Sequence, residues 1–201
     1  MIKVIDYGLG NVSSFTNAYK SLDIKCELAK SCSDLDNATH IILPGVGSFD
    51  YAMELFSNSG LREKIEEKVL EDMIPILGVC VGMQILGDDS EEGNKNGLGW
   101  ISGSIKKING AIEKDLPLPH MGWNSINVDK NQSLFRNVDS EKGFYFLHSY
   151  YFDSDIHQIA SSDYPNSFCC AVNKDNIFGV QFHPEKSADG GKLILKNFNE
   201  L

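Results

Sequence analysis

The sequence has no long apolar run and few cysteines. None of its 201 residues belongs to a stretch approaching the roughly 18 consecutive apolar residues of a membrane-spanning helix. The five cysteines are odd in number and lack the spacing of a disulfide framework. The segment Met1–Asp6 has the pattern of a strand and lacks the regions of a secretory leader. We therefore expect a cytoplasmic protein that is not associated with a membrane.

Basic residues are also scarce. Eighteen Lys and Arg face 28 Asp and Glu, and the net charge of −10 comes without any basic stripe, so we expect no nucleic-acid partner. The five histidines show no tight metal-ligand spacing. Adjacent Cys169 and Cys170 would point to opposite faces of a strand, which favours core packing over a zinc pair. The acidic run Asp88–Asn94 does not match an EF-hand loop, and we interpret it as a solvated loop.

Strand-like and helix-like patterns alternate in the first half of the chain, and short strands dominate the second half. The predicted strands are Lys3–Ile5, Ile24–Leu28, His40–Leu43, Ile74–Val79, Trp100–Ile105, Ser125–Val128, Phe144–Leu147, Gln158–Ser161, Phe168–Val172 and Ile177–Phe182. The predicted helices are Val12–Ser21, Ser48–Phe56, Leu61–Met73 and Gly190–Phe198. This order predicts one α/β domain over residues 1–201, with an open, mostly parallel central sheet, helices on both faces and an additional antiparallel strand region.

The segment Asp6–Asn11 contains two glycines after the first predicted strand. The third glycine of a dinucleotide-binding fingerprint is missing, because Ser13 stands in its place. We therefore predict a tight turn, with Asn11 as the N-cap of the following helix.

Cys80 differs from the other cysteines in its flanking residues. It lies between Gly78 and Gly82, directly after the predicted strand Ile74–Val79. Glycines two residues before and after a nucleophile are typical of a sharp strand-to-helix turn that exposes the side chain at its tip. A buried core cysteine, the usual fate of a free thiol, is the alternative that this segment alone leaves open.

A nucleophilic cysteine needs a base, and the base needs a group that orients it. Both His183 and His148 follow predicted strands, but only His183 has a carboxylate close by in the sequence. Because residues i and i+2 of an extended chain share a side, and Pro184 keeps the chain out of a helix, Glu185 should lie beside the His183 ring. The pattern predicts a Cys80–His183–Glu185 triad, with a surface ion pair as the alternative for the last two residues.

Acyl transfer also needs donors for the developing oxyanion. The segment Leu43–Ser48 follows another predicted strand and precedes a helix, so backbone N–H groups there can face a reacting carbonyl. The N–H of Val81, directly after Cys80, is the natural second donor. A plain strand-to-helix loop would also explain the glycines of the segment.

Taken together, these segments resemble class I, or triad, glutamine amidotransferases over the whole chain. The Cys80 elbow and His183-Pro184-Glu185 occur throughout that superfamily. The finer similarity is to the glutaminase subunits of imidazole glycerol phosphate synthase. It rests on Pro44–Gly47, Pro119–Asn124 and His183–Lys186, with further matches at Asp6–Asn11, Gly97–Trp100 and His148–Tyr151.

The resemblance implies that L-glutamine is hydrolysed to glutamate and ammonia by Cys80, His183 and Glu185, with no metal and no organic cofactor. Two further groups of site residues follow from their positions in the matched segments. They are the oxyanion donors Val46, Gly47 and Val81, and the groups that hold the amino-acid end of glutamine, Gln84, Ser149 and Tyr150.

The resemblance also implies a heterodimer in which ammonia passes through a channel to a (β/α)₈-barrel cyclase subunit. That subunit makes imidazole glycerol phosphate and aminoimidazole-carboxamide ribonucleotide. The interface positions are Asn11, Trp123, Tyr145 and Lys186. Trp123 is amphipathic, as interface anchors are, although a core tryptophan is the alternative.

Two segments leave the ammonia acceptor open. Leu86–Gly93 and Lys174–Gly179 are at least as typical of paralogues that feed sugar amidotransferases in bacterial surface-glycan synthesis. Two other function classes fit part of the pattern. A cysteine peptidase of the same elbow architecture would cleave peptides and leave glutamine intact. An inactive binding subunit would have no chemical need of Cys80, His183 and Glu185 together.

Overall fold

Thirteen strands and five α-helices are present in a computed structural model that describes residues 1–111, 114–129 and 132–201. The strands are β1 (Ile2–Ile5), β2 (Cys26–Ala29), β3 (His40–Gly45), β4 (Ile76–Cys80), β5 (Asp89–Ser90), β6 (Ser104–Lys107), β7 (His120–Asn124), β8 (Asn127–Val128), β9 (Phe144–His148), β10 (Tyr150–Asp153), β11 (Gln158–Asp163), β12 (Ser167–Lys174) and β13 (Ile177–Val180). The helices are α1 (Val12–Ser21), α2 (Phe49–Asn58), α3 (Arg62–Glu66), α4 (Val81–Gln84) and α5 (Ala188–Asn199).

An eight-stranded sheet in the order β2-β1-β3-β4-β13-β12-β11-β8 forms the centre of the fold. The first five strands are parallel, and β12, β11 and β8 continue the sheet in antiparallel pairing. Strands β1, β4 and β13 are buried along their whole length, as parallel strands covered on both faces must be. Two smaller sheets, β10-β6-β5 and β7-β9, lie outside the central one. The predicted fold class is confirmed.

Helix α1 begins at the predicted residue because its N-terminus is capped. The Oδ1 of Asn11 accepts a hydrogen bond from the Ser14 N–H at 3.2 Å, as the tight-turn prediction requires. The buried face of α1 carries Phe15 and Tyr19, and the Tyr19 hydroxyl donates to the carbonyl of Leu195 in α5 at 3.2 Å. The N-terminal and C-terminal helices are thereby joined across the core.

Several element boundaries differ from those predicted. The strand predicted at Trp100–Ile105 is wrong over its first residues, because Trp100 and Ile101 lie in a buried loop where both N–H groups donate to the Leu86 carbonyl. The helix predicted at Leu61–Met73 is α3 followed by a π-helical segment, Glu67–Glu71. Strands β5, β7 and β10 were not predicted.

The acidic run after α4 is mostly exposed, but it is more ordered than a solvated loop. It contains β5, and two of its carboxylates fasten it to neighbouring backbone. Asp88 accepts from the Gly103 N–H at 2.9 Å, and Glu91 accepts from the Lys107 N–H at 2.8 Å.

Cys169 and Cys170 are both buried in β12, as the core-packing interpretation predicts. Burial raises the pKa of Cys169 to about 12 and that of Cys170 well above the usual value, so both remain neutral thiols. Within the described ranges, none of the helices combines the length and the apolar character needed to cross a bilayer.

Candidate active site

Cys80 ends β4 at a sharp turn, and α4 starts at the next residue. Its backbone angles are φ 56° and ψ −116°, an unfavourable conformation for a residue with a side chain. Strand and helix approach so closely that a β-carbon on Gly78 would lie 2.6 Å from the Gly82 carbonyl oxygen. Glycines are therefore required on both sides. The tip is not exposed as the pattern predicts, since Cys80 is only 4% accessible and faces a cavity.

A cavity of about 280 Å³ opens beside Cys80. Its described lining consists of Val46, Gly47, Cys80, Val81, Gln84, Glu92, Pro119, Leu147, His148, Ser149, Tyr150, His183 and Lys186. The structure thus brings together the residues predicted as nucleophile, base, oxyanion donors and amino-acid holders. Glu185 lies behind His183, outside the lining.

His183 follows β13 and points its ring between Cys80 and Glu185. Its Nδ1 lies 2.9 Å from Glu185 Oε1, and both side chains are almost completely buried, so the surface ion pair considered for this segment is wrong. Burial opposes the imidazolium, but hydrogen bonds to the Cys80 sulfur and to Glu185 outweigh it and raise the pKa of His183 to about 9. His183 is therefore suited to carry a proton at neutral pH.

The second carboxylate oxygen of Glu185 has no hydrogen-bond partner among the described residues, although it is buried. An ionised carboxyl in that position depends on a nearby cation for its stability. His183 is the cationic partner that the geometry supplies. Glu185 therefore stabilises the imidazolium form of His183.

His148, the other candidate base, belongs to a buried chain of hydrogen bonds. Its Nδ1 lies 2.8 Å from the Tyr150 carbonyl, and its Nε2 lies 3.0 Å from His120 Nδ1. His120 Nε2 in turn lies 3.4 Å from Asn124 Nδ2. Because a carbonyl only accepts, His148 carries its proton on Nδ1, and His120 donates to it from Nδ1.

Both imidazoles in that chain are neutral. Desolvation lowers the pKa of His148 to about 3 and that of His120 to about 4. His148 is therefore a poor proton acceptor at neutral pH. The pKa is raised for His183 and lowered for His148, so of the two candidate bases His183 is the one suited to accept a proton at neutral pH.

The segment predicted to supply oxyanion donors, Val46–Gly47, begins where β3 ends. Gly45 pairs with Cys80 in the β3–β4 ladder, so Val46 and Gly47 leave β3 next to Cys80. Gly47 has φ +94°, a conformation that glycine adopts without strain. Val81 is the first residue of α4, and an N–H group at that position has no partner within a helix.

Two polar residues of the site were missed by sequence reasoning. Glu92 lines the cavity, and its Oε2 accepts from the Phe49 N–H at 2.8 Å. Gln181 is fully buried, and its Nε2 lies 3.7 Å from the Cys80 sulfur. The spacing of Gln181, two residues before His183 at a strand end, is the signal that could have indicated it. Glu92 lay in the acidic run that we interpreted as a solvated loop.

Three of the predicted interface residues lie together, and one of them, Lys186, reaches the cavity. Trp123 is 55% accessible, which rules out a core tryptophan, and its ring meets that of Tyr145 edge to face at 6.4 Å. Lys186 Nζ lies 5.6 Å from the Tyr145 ring centre, and Lys186 also lines the cavity. Asn11 is exposed beside Gly10, which packs against Pro44.

The family model of class I glutamine amidotransferases matches residues 3–200. The chain belongs to this family. It is similar over its full length, and over theirs, to proteins named imidazole glycerol phosphate synthase subunit HisH, at 48% identity in Leptospira interrogans and 46% in Bdellovibrio bacteriovorus. A protein named HisH 2 from Pseudomonas aeruginosa is 42% identical, again over 100% of both chains.

Solved structures support the same fold at low sequence identity. PurLQS from Thermotoga maritima matches with a TM-score of 0.73 at 18% identity, covering 99% of this chain and 97% of that one. A structure titled glutamine amidotransferase matches with a TM-score of 0.72 at 16% identity, covering 98% of both chains. In this fold the cavity is lined by the end of β4, by α4 and by His183, which follows β13. The predicted domain limits, residues 1 and 201, stay a prediction.

Proposed function

We propose that this chain is the glutaminase subunit of an imidazole glycerol phosphate synthase and hydrolyses L-glutamine through Cys80, His183 and Glu185. The observation that carries the proposal is the buried His183–Glu185 pair beside a cysteine at a strained elbow. The names of the full-length relatives support the choice of enzyme within the family. A peptidase and an inactive subunit have no comparable support.

Glutamine would bind with its side-chain amide at Cys80 and its amino-acid end toward Gln84. Ser149 and Tyr150 also line the cavity, and their backbone would contact the same end of the substrate. Glu92 is the one acidic side chain among the described lining residues, and its carboxylate suits the α-ammonium group of the substrate. These contacts would select a free amino acid over a peptide.

The first chemical step forms a bond between the Cys80 sulfur and the amide carbon. The electron pair of the carbonyl moves to its oxygen, which accepts hydrogen bonds from N–H groups of the Val46–Gly47 segment and of Val81. When the intermediate collapses, the His183 imidazolium gives its proton to the departing nitrogen. The carbon–nitrogen bond breaks, ammonia leaves, and a γ-glutamyl thioester remains on Cys80.

The second step regenerates the enzyme. Neutral His183 takes a proton from water while the water oxygen attacks the thioester carbon. The carbon–sulfur bond then breaks, the electron pair returns to Cys80 as a thiolate, and glutamate is released after its new carboxyl loses a proton to solvent. Glu185 holds the His183 ring in position and stabilises its cation in both steps.

Ammonia would pass to a (β/α)₈-barrel cyclase subunit in a heterodimer. Support comes from exposed apolar and aromatic side chains, since such groups are enriched at interfaces. They are Val46 and Leu147 in the cavity lining and Met121 and Trp123 on β7, which pairs with β9, with Tyr145 and Lys186 beside Trp123. Asn11 completes the proposed interface. A thiol nucleophile needs a reducing compartment, and a cytoplasmic location is part of the proposal.

The deciding experiment uses the chain purified in complex with a barrel subunit. In the Cys80→Ala variant we expect no glutamate release, while ammonium salts should still support formation of imidazole glycerol phosphate. Cys32→Ala is the matched control, because Cys32 is exposed and lies outside the cavity lining, and it should retain wild-type rates. Glutamate release by Cys80→Ala would overturn the mechanism. Glutaminase activity that supports sugar amidation but never imidazole glycerol phosphate would move the acceptor to the glycan paralogues.

A further inference from the structure

We propose that Gln181 is a further catalytic residue, which donates a hydrogen bond to the Cys80 thiolate and is held in that orientation by Gln84. The proposal rests on the glutaminase function above and adds a donor to the nucleophile. It also joins the nucleophile to a side chain that would hold the substrate.

Gln181 is fixed at the end of the central sheet. It follows β13 directly, and its N–H donates to the Cys170 carbonyl at 2.8 Å. The side chain is completely buried, and its Nε2 lies 3.7 Å from the Cys80 sulfur, within hydrogen-bond range for sulfur. Gln181 therefore reaches the nucleophile from the inner side, where solvent does not compete.

The hydrogen-bond network decides which end of the Gln181 amide faces the sulfur. Gln84 Nε2 has two hydrogens, which are directed at the Tyr150 carbonyl at 3.1 Å and at Gln181 Oε1 at 3.0 Å. The Tyr150 carbonyl only accepts, so the nitrogen of Gln84 must face it. That nitrogen then requires an oxygen from Gln181, and the NH₂ group of Gln181 is left facing Cys80.

A hydrogen-bond donor beside the Cys80 sulfur stabilises the thiolate more than the thiol. As a thiol, Cys80 can donate to the Leu147 carbonyl, 3.9 Å from the sulfur. As a thiolate it can only accept, and His183 and Gln181 are the two side chains of the described residues that contact the sulfur as donors. Hydrogen bonds to a charged acceptor are roughly twice as strong as those between neutral groups. Gln181 therefore stabilises the form that attacks glutamine.

Gln181 also differs from His183 because its amide group does not exchange a proton during the reaction. His183 releases its proton to ammonia and recovers it from water, whereas the Gln181 amide donates throughout the cycle. Charge returns to the sulfur when the thioester breaks, and the Gln181 donor is still in place at that moment. Rearrangement of Gln84 on substrate binding would be transmitted to the sulfur through the same amide.

The test measures the reactivity of Cys80 with iodoacetamide between pH 5 and 10. The full-length chain is used, and the Cys80 peptide is quantified by mass spectrometry. Gln181→Glu keeps the length and an oxygen for Gln84 but has no donor once its carboxyl is ionised, and Gln181→Met removes both polar atoms at every pH. We expect the midpoint of alkylation to rise by about one pH unit or more in both variants. In the partner complex, kcat should fall by about tenfold or more, with KM changed by less than about threefold.

Ser162→Ala is the matched control. Ser162 is equally buried and also loses a hydrogen bond, to the Ser125 carbonyl, but it lies outside the cavity lining. Its alkylation midpoint and kcat should equal those of the wild type. A folded Gln181→Glu or Gln181→Met variant with an unchanged midpoint would reduce Gln181 to a structural role. If the chain did not hydrolyse glutamine at all, the alkylation profiles would still test the contact with the sulfur.

Discussion

Gly45, the last residue of β3, lies directly opposite Cys80, the last residue of β4. A β-carbon on Gly45 would collide with the backbone nitrogen of Gly82, and one on Gly82 would collide with the Leu43 carbonyl. Because Gly45 and Gly82 have no side chains, the Val46–Gly47 segment and Cys80 can follow adjacent strands side by side. The geometry of the site is thus set by backbone packing.

Gly82→Ala should destabilise the protein and disable the elbow. The added methyl group meets backbone rather than a movable side chain, so we expect a loss of roughly 2–4 kcal/mol in the free energy of unfolding. Urea denaturation of the full chain measures the change. Gly190→Ala is the control, because its β-carbon comes no closer than 3.4 Å to another atom and alanine favours the helix. If Gly82→Ala were as stable as the wild type, the strand-to-helix turn at Cys80 would be able to accommodate the added methyl group.

Glu185→Gln should make the imidazolium form of His183 less stable. Loss of the carboxylate removes a favourable partner of the imidazolium, so the pKa of His183 should fall from about 9. In the wild type, stability from this raised pKa is fully present below pH 6.5 and is lost as the pH rises through about 9, with a slope of up to about 1.4 kcal/mol per pH unit. Unfolding free energies measured between pH 6 and 10 should show this slope in the wild type and a weaker one in the variant. Exposed Glu141→Gln is the control, and a slope unaffected by Glu185→Gln would remove the pair as its source.

The parts of the site that local spacing determines could be predicted from the sequence. Flanking glycines define the Cys80 elbow, and extended geometry places Glu185 beside His183. Contacts between distant segments could not be predicted. Glu92 reaches the cavity only because its loop folds against the start of α2, and the His120–His148 contact depends on the pairing of β7 with β9. Since hydrophobic patterns report burial and not hydrogen bonding, the buried loop at Trp100 was predicted as a strand.

The His120–His148 pair should make the protein sensitive to acid. Both pKa values are lowered in the folded state, so their stabilising effect is present above pH 6.5 and is lost as the pH falls toward 4 and 3. Each histidine contributes up to about 1.4 kcal/mol per pH unit to that loss. Nitrogen-15 NMR should show both imidazoles protonated on Nδ1 and untitrated down to pH 5. Titration of either histidine near pH 6.5 in the folded chain would contradict the neutral chain of hydrogen bonds from Asn124 to Tyr150.

Glu92→Gln should weaken glutamine binding with little effect on chemistry. The substituted side chain keeps an oxygen for the Phe49 N–H but lacks the charge that we propose faces the α-ammonium group of the substrate. In the partner complex we expect KM to rise by about tenfold and kcat to change by less than about twofold. Discrimination against glutaramate, which lacks the α-ammonium group, should shrink in parallel. Asp89→Asn, a neighbouring exposed carboxylate outside the cavity lining, should leave both parameters unchanged.

Trp123→Ala should weaken the complex with the barrel subunit without weakening the fold. More than half of the Trp123 side chain is accessible, so its removal leaves the core intact, whereas interface aromatics contribute about 1–4 kcal/mol to association. Titration calorimetry should therefore show an affinity at least about tenfold lower, with an unchanged urea midpoint for the isolated chain. Ile156→Ala removes an apolar side chain that is 79% accessible but lies outside the cavity lining, and it should bind the barrel like the wild type. If Ile156→Ala weakened the complex and Trp123→Ala did not, the partner would dock on the β10–β11 turn, and ammonia would have to leave the cavity by another route.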